Sequence, residues 1–156
     1  MTTADIAPGD IAPGLELVNP VAGTRTVFTA TPATTNGEYV EVEATYPPNS
    51  NKPPVHHHPS QTETFTVLTG AMTVVCGDET FIAETGESFS IPPGVSHQMW
   101  NHGEVEAVMR WRIAPALRTG EMFCALWALA RDNDWKPEPM AMFEVVSSFP
   151  EEFQLG

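Results

Sequence analysis

Pro53-Pro54-Val55-His56-His57-His58-Pro59-Ser60-Gln61-Thr62-Glu63 is the stretch on which the reading of this chain turns. Three of the five histidines stand in consecutive positions, and a glutamate follows five residues after the last. Side chains alternate faces along a strand, so His56 and His58 share one face and His57 takes the other. Pro59 and the short Ser60–Thr62 segment bend the chain so that Glu63 reaches the same centre. A fourth candidate ligand, His97, follows in a second segment punctuated by Pro92-Pro93-Gly94, a rigid turn that presents it from a neighbouring strand. The expectation is one metal ion held by His56, His58, Glu63 and His97 inside a barrel. Imidazole with carboxylate suits Fe, Mn, Ni, Co, Cu or Zn rather than Ca or Mg. Four protein ligands on an octahedral ion leave two positions open. The competing reading is a surface run that captures metal opportunistically; Glu63 and His97 at these spacings argue against it. His57 is expected to face away, His102 to lie exposed beside Gly103, and Asn101 to serve as a structural hydrogen bonder.

The flanking sequence is that of an all-β domain. Val40, Val42, Ala44 and Tyr46 alternate with Glu41, Glu43 and Thr45, the pattern of a half-buried strand over 38–46. Leu15–Val18 reads as an edge strand and Thr24–Thr31 as another, while Asn36-Gly37 is a two-residue hairpin signal. Strands are expected over 63–69, 71–76, 79–84, 87–91 and 96–101, with turns at Gly70, Gly77-Asp78 and Thr85-Gly86. Residues 105–113 alternate with Val105, Ala107, Met109, Trp111 and Ile113 on one face. Many short strands at this spacing predict a sandwich or barrel. After Pro115 the period becomes helical: Met122, Phe123, Leu126, Trp127 and Ala130 predict a helix over 119–131. A second segment, 137–148, reads as helix with strand as the alternative. The Met and aromatic stripe is expected to be packing surface, on its own barrel or on a partner. The expected organisation over 1–156 is one domain: an N-terminal arm to residue 23, a barrel over 24–115, and a helical segment over 116–156.

Composition narrows function by exclusion. A net charge of −13 with only 7 Lys+Arg argues against nucleic acid and anionic membrane surfaces. No apolar run approaches the ~20 residues of a membrane span. The first twenty residues lack the basic and apolar regions of a signal peptide, so the cytoplasm is the expected compartment. Cys76 and Cys124 stand far apart and are expected to be free, with Cys76 a secondary candidate for the pocket wall. Strand parity places Tyr46, Phe65, Val67, Met72, Met99, Met109 and Trp111 on inward faces, as candidates for an apolar, aromatic substrate pocket. No Arg or Lys cluster accompanies them, which argues against a polyanionic substrate.

Two patterns complete the reading: His56-x-His58-x4-Glu63-x6-Gly70 and Gly86-x5-Pro92-x-Gly94-x2-His97-x3-Asn101. Together they resemble both motifs of the cupin superfamily, at every defining position across residues 53–101. The resemblance implies a double-stranded β-helix (jelly-roll) barrel and a single-domain, Cupin_2-type protein, with C-terminal helices compatible with it. A three-His, one-Glu site suggests dioxygenase chemistry, with Glu63 as ligand and general base. Alternatives are a Lewis-acid cyclase, a sugar isomerase or epimerase, or a non-catalytic binding module. The resemblance also implies a small-molecule ligand and a homodimer.

Overall fold

The computed structural model describes residues 6–156. Among the described residues, eleven strands form two antiparallel sheets. The first sheet runs β1 (Glu16–Asn19), β2 (Thr24–Ala30), β3 (Val40–Tyr46), β10 (Ala107–Ala114), β5 (Thr62–Thr69) and β8 (Ser88–Ile91) in spatial order. The second runs β11 (Gln154–Leu155), β4 (His56–His57), β9 (His97–Trp100), β6 (Ala71–Cys76) and β7 (Glu79–Glu84). The crossovers between sheets make a jelly roll, the arrangement by which an antiparallel protein limits its exposed edges. Both sheets draw strands from outside residues 24–115: β1 extends the first and β11 the second.

The alternating segment over 40–46 forms β3 with the expected faces: Val40 and Val42 are fully buried, and Glu43 is exposed. The Asn36-Gly37 signal is not a two-residue hairpin. A one-turn helix, α1 (Pro32–Thr35), precedes it, and Asn36 and Gly37 both take left-handed backbone as the chain leaves that turn. Thr31 is the reason. Its amide donates to Oγ1 of Thr34, and its carbonyl accepts from the amides of Thr34 and Thr35, which closes a turn before β3 can begin. Val105 is likewise not on the inward face. It lies in the turn before β10 and is 64% exposed.

Gly70 turns β5 into β6 with a φ of 73°. A Cβ there would sit 2.5 Å from the carbonyl oxygen of Glu106 and 2.9 Å from Cα of Ala107, both backbone atoms. Only glycine meets both the torsion and the close approach.

Two apolar clusters fill the interior. One contains Phe65, Val67, Met72, Val74, Ala83, Ile91, Met99, Ala107 and Met109. The other joins Phe28, Val40, Val42 and Ile113 to Ala116 and Cys124 beside helix α2 (Thr119–Asp132). Trp111 packs against both. The α2 stripe therefore packs on its own barrel, with Phe123 facing Phe28 and Trp111. Helix α3 (Pro139–Ser147) follows and has no buried residue. No helix among the described residues is long and apolar enough to cross a membrane. Cys76 and Cys124 are free thiols.

Candidate metal centre

The histidine run begins β4, and its register fixes the site. His56 faces His97 of β9 across the sheet, while Glu63 of β5 stands opposite Ile113 of β10 in the other sheet. The two motifs are also joined directly, because the amide of Gly94 donates to the carbonyl of His58 at 2.8 Å. Pro53, just upstream, is fixed by an amide from Gln98 at 2.8 Å. One ligand atom from each of His56, His58 and His97 lies within 4.8 Å of the others. His58, His97 and Glu63 are buried, and His56 is half-buried.

Hydrogen bonds set the tautomer of each imidazole. Nδ1 of His56 lies 2.9 Å from the carbonyl of Pro54, Nδ1 of His58 lies 2.6 Å from that of Glu152, and Nδ1 of His97 lies 2.9 Å from that of Val95. A carbonyl can only accept, so each Nδ1 carries the proton and each Nε2 presents a lone pair. Nε2 is the nitrogen left to face the centre.

Glu63 brings a carboxylate to the same place. Its Oε2 accepts the indole N–H of Trp111 at 2.7 Å. Its Oε1 lies 2.8 Å from Nε2 of His97 and 3.0 Å from Nε2 of His58. Yet Oε1 and Nε2 of His58 have no hydrogen-bond partner; the contact is close but lacks hydrogen-bond geometry. Buried polar atoms without partners are costly, and a cation placed between these two would satisfy both. The donor set of imidazole nitrogens and a carboxylate oxygen fits a divalent transition metal. The three histidines form the group whose ligand atoms all lie within 4.8 Å of one another, and Glu63 Oε1 sits against His58 and His97.

The electrostatics keep His56 neutral and Glu63 ionised at neutral pH. Burial lowers the His56 imidazole to about 4, which keeps it neutral. Burial raises the Glu63 carboxyl, but His58 and His97 outweigh it and hold it at about 2. Burial lowers His58, and the Glu63 carboxylate more than compensates, so its net displacement is upward. Burial and the Glu63 charge push the Tyr46 hydroxyl well above its ordinary range, so it stays protonated.

A cavity of about 430 Å³ opens over this centre. Tyr46, Phe65, Met99 and Trp111 line it, together with His56, His58, Glu63 and His97. Val67, Met72 and Met109 do not; each is fully buried in the barrel core. Parity identifies the inward face but not the depth. Glu63, Phe65 and Val67 descend β5 two residues at a time, opposite Ile113, Trp111 and Met109, and the cavity ends after the Phe65–Trp111 level. Cys76 is not on the wall either. His57 turns away, with Nδ1 2.6 Å from the carbonyl of Gly156. His102 is exposed. Asn101 donates to the carbonyls of Pro47 and Val105 and so ties down the loop before the histidines.

Much of the remaining wall comes from segments expected only to pack. Met122, Phe123 and Leu126 of α2, Met142, Phe143 and Val146 of α3, and Phe153 roof the cavity. Their helical spacing was visible in the sequence, but nothing local says which surface that stripe covers. No Lys or Arg side chain lines the cavity.

A jelly-roll barrel with a histidine and carboxylate centre under a helical roof defines the class of protein. Residues 42–113, just under half of the chain, match the Cupin_2 family, a cupin domain. An RmlC-like cupin from Shewanella frigidimarina NCIMB 400 is similar at 19% identity, over 65% of this chain and 84% of that one, with a TM-score of 0.55. A conserved protein with a double-stranded beta-helix domain from Klebsiella pneumoniae matches at 21% identity and TM-score 0.55, over 65% of this chain and 80% of that one. The Schizosaccharomyces pombe Cnp3 cupin domain matches at 16% identity and TM-score 0.53, over 58% of this chain. The match spans 64% of the Cnp3 domain, less than two thirds of its length. At these identities the likeness establishes the fold. No curated protein matches this sequence.

Proposed function

We propose that this protein is a metal-dependent enzyme acting on a small organic molecule, aromatic or polyketide-like, with dioxygenase-type chemistry. One observation carries the reading: three imidazoles, each with Nδ1–H engaged by a backbone carbonyl, meet beside a carboxylate oxygen that has no partner. In this reading His56, His58 and His97 hold one divalent transition metal, and Glu63 completes the set. When bound, such an ion acts as a Lewis acid toward a substrate hydroxyl and, if redox-active, brings dioxygen to the same site. Dioxygenation needs no external reductant, because both oxygen atoms end in the product.

The chain's own groups supply the rest. The ionised Glu63 carboxylate, beside the centre, accepts the proton of the substrate hydroxyl, while Trp111 holds its Oε2. The rings of Phe65, Trp111 and Phe123 offer faces for a flat, uncharged molecule. A wall without a cation gives an anionic substrate no counter-charge, which disfavours sugar phosphates.

The test is metal analysis of untagged protein, followed by oxygen uptake with flavonols and catechols. A stoichiometric redox metal and substrate-dependent oxygen uptake are expected. Turnover without oxygen uptake would instead establish the Lewis-acid cyclase or isomerase reading, and ligand binding without turnover a binding module. A homodimer is expected, since Met140, Met142 and Phe143 of α3 are left exposed; light scattering that gives a monomer would remove that expectation. The expected compartment, the cytoplasm, rests on the sequence alone.

A further inference from the structure

The last five residues touch every member of the histidine run. The carbonyl of Glu152 accepts from Nδ1 of His58 at 2.6 Å. The ring of Phe153 stacks on that of His56, with centroids 4.7 Å apart and planes 17° from parallel. The carbonyl of Gly156 accepts from Nδ1 of His57 at 2.6 Å and from the hydroxyl of Ser96, beside His97, at 2.9 Å. Between them β11 pairs Gln154 with His57 and Leu155 with His56, and the amide of Gly156 donates to the carbonyl of Val55 at 3.0 Å. Residues 152–156 lie outside the 42–113 match.

Glu152 has a second attachment. The residue is 3% exposed, and its Oε2 accepts the amide of Arg118, the N-cap of α2, at 3.3 Å. A carboxylate at a helix N-terminus meets unpaired amides and the positive end of the helix dipole. Glu152 therefore connects the start of the cavity roof to the imidazole of His58. Phe153 also lines the cavity, and its ring stacks on a ligand candidate.

We infer that Glu152 and Phe153 are positioning residues of the metal centre: Glu152 fixes the tautomer and direction of His58, and Phe153 fixes the ring plane of His56. This rests on the metal reading above and adds to it a part of the chain that supplies no ligand. Outer partners of ligating histidines orient the lone pair, and their loss typically costs about 10- to 100-fold in metal affinity. The side chain of Glu152 acts through its anchor on Arg118, which holds the Glu152 carbonyl in register with His58.

Two measurements on the full chain test it. The first needs no metal. Nitrogen-15 NMR of the metal-free protein reads the imidazole tautomers, and His58 is expected as the Nδ1–H form in the wild type. In Glu152→Ala that signature is expected to shift toward an averaged imidazole, with the Phe153→Leu spectrum unchanged at His58. The second is Co²⁺ titration by visible absorption. Glu152→Ala and Phe153→Ala are expected to bind Co²⁺ about 10- to 100-fold more weakly. Phe153→Tyr restores a stacking ring and is expected to bind within about threefold of wild type. Met140→Ala, exposed on α3 away from the cavity, is the control for nonspecific loosening. Positioning is overturned if both alanine variants bind Co²⁺ like Met140→Ala, or if His58 keeps its tautomer in Glu152→Ala. Failure of wild type itself to bind Co²⁺ would overturn the metal reading, while the NMR measurement would still decide whether Glu152 orders His58.

Discussion

At the residue scale the site reduces to which nitrogen each imidazole presents. His56, His58 and His97 all donate from Nδ1 to backbone, and His57 donates from the same atom to a carbonyl on the far side. Replacing His56, His58 or His97 with alanine should each remove stoichiometric metal, whereas His57→Ala should retain it, as read by elemental analysis. Glu63→Gln should keep the fold and lose turnover, because the amide offers no base at Oε1. Acid should destabilise the metal-free protein. His56 falls from 6.5 to about 4 on folding, so below pH 6.5 the unfolded chain takes a proton that the folded chain refuses. Glu63 falls from 4.5 to about 2, so its contribution is intact above pH 4.5 and lost as pH drops toward 2. His58 moves the other way; its contribution is complete below 6.5 and is lost only as pH rises. From pH 6.5 downward the first two therefore act unopposed. The melting temperature should fall steadily over that range, and His56→Asn should flatten the part between 6.5 and 4.

At the scale of elements, what could be read from the sequence was what is local. Alternation along β3 and β5, the glycine turn after β5 and the spacing of both histidine motifs each depend on a few neighbouring residues. Gly70→Ala should cost at least about 1–3 kcal/mol in a urea titration, since it combines left-handed strain with a backbone clash. What escaped sequence reading depends on register across the sheets. Val67, Met72 and Met109 share the inward face with Phe65 and Met99, and only strand pairing shows that they lie below the cavity floor. Met109→Ala should therefore cost about 2–5 kcal/mol of stability, the range for a fully buried side chain, with Co²⁺ affinity unchanged. The Asn36-Gly37 signal misled for a related reason: the threonines before it closed a helical turn first. β11 has only two residues, too few for any periodic pattern, and it pairs with a strand almost a hundred positions earlier.

For the whole molecule, the cavity is a joint product of barrel and C-terminal segments. The barrel supplies the polar floor and the helices supply the apolar roof. Changes in α2 or α3 should alter which molecule binds without disturbing the metal. Phe123→Ala, for instance, should admit bulkier aromatic ligands in a binding assay while leaving Co²⁺ titration unchanged, since Phe123 contacts Trp111 and Phe28 but no histidine.

The brevity of β11 has a kinetic side. A pairing of two residues opens far more often than the longer sheets beside it, because so few hydrogen bonds hold it. An ion whose ligands are backed by such a pairing leaves through those openings, at a rate set by local opening of β11 and not by unfolding of the barrel. Amide exchange at Gly156 and the release of Co²⁺ to a chelator should then share one temperature dependence, far shallower than that of global unfolding.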